Sequence, residues 1–328
     1  MMNSPNPTRP IVDAAKQWGD NPVWMLNLLQ FRNPYPGAGR DAYRRYVYEV
    51  RRTLADVGGR LVAASFNVAT FIGEQRWDGV ILVEYPSMNH LVRMVSSPGY
   101  AAISHWREDA LSDFGFIALH PRWTAAADPN PIAAPVAPMS EAGVALTQAW
   151  DTRRWYDEPH AFRDTEGHGL SGSLLENPGL AGRLWCINLL KFKPDVGTHP
   201  DMPDADGADT YMNGYGIPVT RLISEAFGGT FILNDRSPLT VLGPKNVNGD
   251  DLGIAYDIVA IAQYPSRDAF LSMTHSPEYR RLNEYREAGL EMQQLISLSP
   301  EAVVLEDGLV VGDDAALGAT RALLTAPL

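Results

Sequence analysis

A nine-residue pattern occurs twice in this chain, and a series of shorter marks follows each copy in the same order. The first copy reads WMLNLLQFR from Trp24 to Arg32, and the second reads WCINLLKFK from Trp185 to Lys193. After each come a double Gly (Gly58-Gly59, Gly228-Gly229), a single Gly (Gly73, Gly243) and an aromatic-Asp pair (Trp77-Asp78, Tyr256-Asp257). Tyr-Pro-Ser (Tyr85–Ser87, Tyr264–Ser266), Ser-Pro-x-Tyr (Ser97–Tyr100, Ser276–Tyr279) and an aromatic-Arg pair (Trp106-Arg107, Tyr285-Arg286) complete each series. A period this long means a duplicated domain, because the repeats of solenoids are far shorter. The chain must therefore fold as two copies of one unit.

Composition narrows the partners. At 328 residues, 45% apolar and 20% charged, the chain has the make-up of a soluble globular protein of two domains. A formal net charge of −12 disfavours nucleic acid and anionic membrane surfaces, which attract excess Lys and Arg. No apolar run reaches the roughly 18 residues of a membrane span, and Met1–Pro10 lacks the basic-then-apolar order of a signal peptide. Cys186 is the sole cysteine and lies in an apolar strand, where it reads as a small buried hydrophobe. The expected setting is the cytoplasm, and the expected partner is a small molecule, with a homodimer possible.

Periodicity places the elements. A short helix is expected over Ile11–Trp18, then a strand over Val23–Phe31 that is apolar on both faces. From Asp41 the residues Tyr43, Tyr46, Val47, Val50, Leu54 and Val57 form one stripe of an amphipathic helix, which Gly58-Gly59 ends. Strands over Leu61–Ile72 and Val80–Tyr85, helices over Met88–Val95 and from Ser97 to about Asp113, and a strand over Phe116–Leu119 follow. The order is βαββαβ, which is ferredoxin-like. The expected layout is a lead-in at 1–22, a first unit at 23–124, a linker and helical excursion at 125–180, a second unit at 181–302 and a tail at 303–328.

The second copy departs from the first in three places. Its first loop, Pro194–Asp209, is longer and rich in Asp; its first helix is interrupted by Gly214, Gly216 and Pro218; and the loop Pro244–Ala255 is nine residues longer. Regular helix is expected only from Pro218, with a passage opening beside Tyr215. A βαββαβ sheet covered by helices on one face must bury the other against something, and two units on one chain can bury theirs against each other. The expected fold is thus α+β, two ferredoxin-like units packed sheet to sheet, with a chamber between the sheets.

Gly58-Gly59-Arg60, Val80–Ser87, Ser97–Tyr100 and Arg107, with their echoes in the second copy, resemble the dimeric α/β-barrel superfamily. Within it they are similar to domain-of-unknown-function family 1330. The resemblance implies an intrachain dimeric α/β barrel. It carries no single activity, since the superfamily includes cofactor-free monooxygenases, isomerases, lyases and haem enzymes.

The candidate site residues follow from what is costly to bury. Arg107 and Arg286 share the apolar stripes of their helices, so each needs a partner: a carboxylate such as Asp78 or Asp257, strand-end carbonyls, or a substrate anion. Asn27 and Asn188 interrupt apolar strands and either bond to a neighbouring strand end or helix cap or line a cavity. Tyr43 and Tyr46, echoed by Tyr211 and Tyr215, stand on the inward stripe of the first helix as core residues with a polar tip. His199 sits among Asp195, Asp201, Asp204 and Asp206 in a spacing unlike that of an EF-hand, which reads as a solvated loop. No phosphate loop, nucleophile elbow, zinc motif or haem-attachment motif occurs.

The resulting expectation is a cofactor-independent enzyme doing acid–base chemistry, of isomerase, lyase or cyclase type, on a small organic acid or an aromatic or polyketide-like substrate. Tyr215, Arg286 and Asp257 are its expected catalytic groups, and Asn27, Asn188, Arg107, Tyr46 and Tyr211 its substrate contacts. The second unit, being the less regular, is the expected site. The alternatives are a non-catalytic binding or assembly protein, and a haem- or metal-dependent oxidoreductase of the same superfamily.

Overall fold

A computed structural model describes residues 8–33, 37–66, 68–73, 75–121, 140–141, 180, 182–243 and 254–299, and the backbone at 302–305 and 308–311. Most of the linker and excursion expected at 125–180 and most of the long loop at 244–255 lie outside these residues.

Helix α1 (Thr8–Trp18) leads into the first unit. This unit consists of β1 (Val23–Phe31), α2 (Ala38–Asp56), β2 (Arg60–Ser65), β3 (Val68–Ile72), β4 (Gly79–Tyr85), α3 (Met88–Val95), α4 (Pro98–Ala110) and β5 (Leu111–Leu119). The second unit has β6 (Leu184–Phe192), α5 (Gly207–Tyr211), a π turn (Met212–Gly216) and α6 (Ile217–Ala226). It continues with β7 (Thr230–Asp235), β8 (Leu239–Leu242), β9 (Ile258–Tyr264), α7 (Arg267–His275), α8 (Pro277–Gly289) and β10 (Leu290–Leu298). The second helix pair starts alike in both copies. Ser97 and Ser276 each accept the backbone N–H three residues on, at 3.1 Å, with Pro in the first helical position.

Both sheets are antiparallel, with neighbours in the order β2-β4-β1-β5 and β7-β9-β6-β10. The two sheets pack face to face. Trp24, Leu26, Leu28, Val80, Leu82 and Ile117 from one meet Trp185, Ile187, Leu189, Val259, Ile261 and Ile296 from the other in a single buried cluster. Each unit is thus ferredoxin-like, and the pair forms a dimeric α/β barrel within one chain. Among the described residues the space expected to be a chamber between the sheets is packed: those inward side chains are all 5% exposed or less. At its centre Gln294 accepts from Trp77 Nε1 and donates to the Tyr256 hydroxyl, so the aromatic of each aromatic-Asp pair converges on one buried amide.

The expected single strand Leu61–Ile72 is two strands in two sheets. β2 stays in its own sheet, while β3 crosses and pairs with β10 of the other copy, as Ala69↔Ser297 and Thr70↔Ile296. Reciprocally, β8 leaves the second unit and pairs with β5. Phe71 is thereby buried in the helix-side core of the second unit, and Leu242 packs on that of the first. The tail also joins a sheet rather than standing apart, since β11 (Ala302–Leu305) pairs with β2 and with β12 (Gly308–Val311).

The interrupted helix of the second copy is continuous. From Gly207 to Ala226 the chain stays helical, and Gly214 and Gly216 lie in the π turn instead of breaking it. Gly214 is required by packing: a Cβ there would meet the Tyr285 ring at 2.3 Å. The fourth strands begin at Leu111 and Leu290, so α4 is shorter than periodicity suggests.

Candidate functional site

Each unit holds a pocket between its helices and the outer face of its own sheet. In the first, a cavity of about 240 Å³ is floored by Asn27, Ile81, Phe114 and Phe116 of the sheet. Tyr43 and Tyr46 of α2 and Tyr100 and Arg107 of α4 wall it, and Leu242 reaches in from the other copy. Strand alternation puts Asn27 here, since Leu26 and Leu28 on either side face the other sheet. Its amide hydrogens are taken up by Met25 O at 3.0 Å and Ile81 O at 3.2 Å.

Arg107 lays its guanidinium over the Phe114 ring, 4.1 Å from the centroid. Among the described residues neither a hydrogen-bond acceptor nor a carboxylate pairs with it. The expected partner is engaged elsewhere, because Asp78 Oδ2 accepts the Phe31 N–H at 2.7 Å beside a bulge between Gln30 and Phe31. Burial works against the Arg107 charge, yet Tyr100, Tyr46, Tyr43 and Glu108 together more than offset it and raise its pKa. Tyr46 and Tyr100 meet edge to face, the Tyr46 hydroxyl donating to that of Tyr100 at 3.4 Å. Burial holds the Tyr43 and Tyr46 hydroxyls well above the ordinary tyrosine range, although Arg107 pulls the other way. The pocket is therefore mainly apolar, and the Tyr43 and Tyr46 hydroxyls that line it keep their protons.

The second pocket, of about 300 Å³, repeats this geometry with altered chemistry. Tyr215 and Tyr279 share a hydroxyl–hydroxyl bond at 3.2 Å and an 83° ring angle, as Tyr46 and Tyr100 do. Tyr211 packs beside Tyr215 as Tyr43 packs beside Tyr46, at centroid distances of 5.2 and 5.3 Å. The spacing is four residues here and three in the first unit; the π turn absorbs the extra residue and keeps the tyrosines in place.

The arginines differ most. Arg286 donates from Nε to Asn283 Oδ1 at 2.6 Å and from a terminal nitrogen to Gln293 Oε1, and Glu287 lies 3.7 Å away. Gln293 in turn donates to Asn188 Oδ1 at 3.1 Å, and Arg286 is not among the residues that line the pocket. Gln293 occupies the position of Phe114, each seven residues after its arginine. Exchanging an aromatic face for an amide oxygen thus turns an available cation into a bonded one.

Asp257 is exposed, accepts the Phe192 N–H at 2.8 Å and borders a separate shallow hollow with Tyr256 and Arg236, away from Tyr215. In the Asp-rich loop, Asp206 caps α5 by accepting the Asp209 N–H, Asp201 accepts the Tyr285 hydroxyl, and His199 stacks on that ring. His199 is buried rather than solvated. Sequence reading missed Phe114, Gln293, Tyr100 and Tyr279; comparing the copies position by position from the two arginines would have found the first two.

Residues 38–118 match the family model of DUF1330, a domain of unknown function. The match runs from α2 to β5 of the first unit. No curated protein matches. A protein of unknown function from Rhodopseudomonas palustris is 28% identical over 35% of this chain and 93% of its own, with a TM-score of 0.32. A variant of chlorite dismutase from Candidatus Nitrospira defluvii is 8% identical over 96% of this chain and all of its own, at 0.40.

The haem of the oxidoreductase expected as an alternative does not suit these pockets. Neither lining includes a histidine. Cys186, in the second, is pushed up to about 12 by burial, with Ser297 lowering it slightly, so its thiol stays protonated and is a poor iron ligand. The buried tyrosines likewise resist forming the tyrosinate that iron would need.

Proposed function

We propose that the first unit's pocket binds a small organic anion with an apolar or aromatic body and turns it over by acid–base chemistry without a cofactor. The observation that carries this is Arg107, a guanidinium over an aromatic ring in a mainly apolar cavity, with no carboxylate paired to it among the described residues. A desolvated cation favours a ligand that brings the missing negative charge, and arginine matches a carboxylate or enolate in two contacts.

The reaction is one in which negative charge grows on a substrate oxygen. Arg107 and the hydroxyl of Tyr100 or Tyr46 would hold that oxygen, and Asn27, whose amide hydrogens are bonded to the sheet, would offer its Oδ1 to a donor on the ligand. The lining has no histidine or carboxylate, and Tyr43 and Tyr46 keep their protons, so these residues supply donors and no base. Among isomerisation, elimination, cyclisation and decarboxylation, the last asks least of such a site. The C–C bond of a β-keto acid breaks, its electron pair moves onto the ketone oxygen as an enolate, carbon dioxide leaves, and a proton from water reaches the carbon.

Thermal-shift titration with benzoate and phenylacetate, followed by assay of β-keto acids for carbon dioxide release, tests this. Ligands should raise the melting temperature of the wild type and of Arg286→Ala but not of Arg107→Ala. Binding without turnover would leave a carrier or sensor of organic acids. Equal shifts in all three proteins would reject the site.

A further inference from the structure

The second pocket differs from the first in the placing of its arginines. Its floor is neutral, because Arg286 is bonded to Asn283 and Gln293 and does not line it. Its edge is cationic: Arg221 of α6 and Arg236 after β7 both line the cavity, both are exposed, and neither has a bonded partner among the described residues. In a chain of net charge −12, two arginines without carboxylate partners at one cavity edge are a local reversal of the prevailing sign.

Asn234 lies on the same strand end and also lines the cavity. Its Oδ1 is buried without a hydrogen bond and accepts only from a donor, so toward an anion this amide acts through its Nδ2 hydrogens. Ile217, half exposed, stands on the lip, and Ala260, Ala262, Ile258, Phe231 and Leu295 make the interior apolar. In the first unit the positions of Asn234 and Arg236 hold Ala64 and Phe66, which lie in its buried core. Arg221 has a counterpart in Arg51, which lines the first pocket, so what belongs to the second unit alone is the pair Asn234 and Arg236.

We infer that the second pocket is a separate binding site for an amphipathic anion held head-out, its apolar tail inside and its carboxylate or phosphate head between Arg221, Arg236 and the Asn234 amide. The first pocket takes charge inward against Arg107; this one keeps charge at the solvent edge. The two sites would thus sort ligands by where the charge sits.

The test uses the full chain carrying Arg107→Ala, so that the first pocket does not contribute, with octanoate, 1-octanol and inorganic phosphate as calorimetric probes. Octanoate should bind more tightly than octanol or phosphate, because it alone satisfies both ends. Adding Arg221→Ala and Arg236→Ala should weaken octanoate roughly five- to tenfold, and raised salt should have a similar effect, as expected for two solvent-edge cations. Both positions are exposed, so these variants should melt like their parent. Unchanged octanoate affinity in the double substitution, or phosphate or octanol binding as tightly as octanoate, would overturn the inference. Benzoate binding to the wild type reads the first pocket independently, so failure of one site is distinguishable from failure of the other.

Discussion

Arg107 rests on Phe114, whereas its counterpart Arg286 is bonded to Gln293. The two arginines occupy the same place on corresponding helices, and two exchanges separate them: Phe114 for Gln293 on the strand and Ser104 for Asn283 on the helix. The functional account follows from that contrast. The less regular second copy, which the longer loops and glycines single out, is the one whose central cation is already occupied.

The strand exchange makes each unit depend on the other. Phe71 is fully buried and packs at 74° against the Phe270 ring, in the core of the unit it does not belong to. Phe71→Ala should cost about 3–5 kcal/mol of unfolding free energy in denaturant titration, and the second unit should show the loss. A cost below about 1 kcal/mol would mean that the exchange contributes little.

The π turn has room for no side chain at Gly214, because the Tyr285 ring lies against it. Gly214→Ala should destabilise the protein by about 1–3 kcal/mol despite alanine's better helix propensity. Alanine stabilising it would show that Tyr285 moves aside freely.

Much of this architecture is legible in the sequence, and the illegible parts have physical causes. The duplication, the βαββαβ order and the inward tyrosines follow from matching marks and spacing. The split of Leu61–Ile72 does not, because Phe66-Asn67 at the break is neither Gly nor Pro and the run is apolar throughout. In the second copy Arg236-Ser237-Pro238 does mark the same break. Strand β1 is apolar on both faces, so alternation put Asn27 with Leu29 and Phe31 but could not say which face meets helices. The pocket was therefore expected between the sheets and lies behind them. Asp78 and Asp257 were expected beside the arginines, and backbone N–H groups at the strand ends hold them instead.

Burial of tyrosine hydroxyls has a signed consequence. Tyr43, Tyr46, Tyr85, Tyr211, Tyr264 and Tyr279 bind their protons more tightly in the folded chain than in the unfolded one, chiefly through desolvation. The associated stability is complete below the unfolded tyrosine pKa of about 10 and is lost as pH rises through the folded values. Melting temperature should fall steeply above that pH, beyond what Cys186 contributes between about 9 and about 12. A flat profile up to pH about 12 would contradict the buried assignment.

The central claim is that Phe114 keeps Arg107 available to an anion. Substituting Phe114→Gln retains the arginine and gives it the partner that Arg286 has. Benzoate affinity, measured calorimetrically, should drop roughly ten- to hundredfold in that variant while the fold is kept. Affinity equal to that of the wild type would show that an amide at this position does not capture the cation, and the assignment of the first pocket would fall.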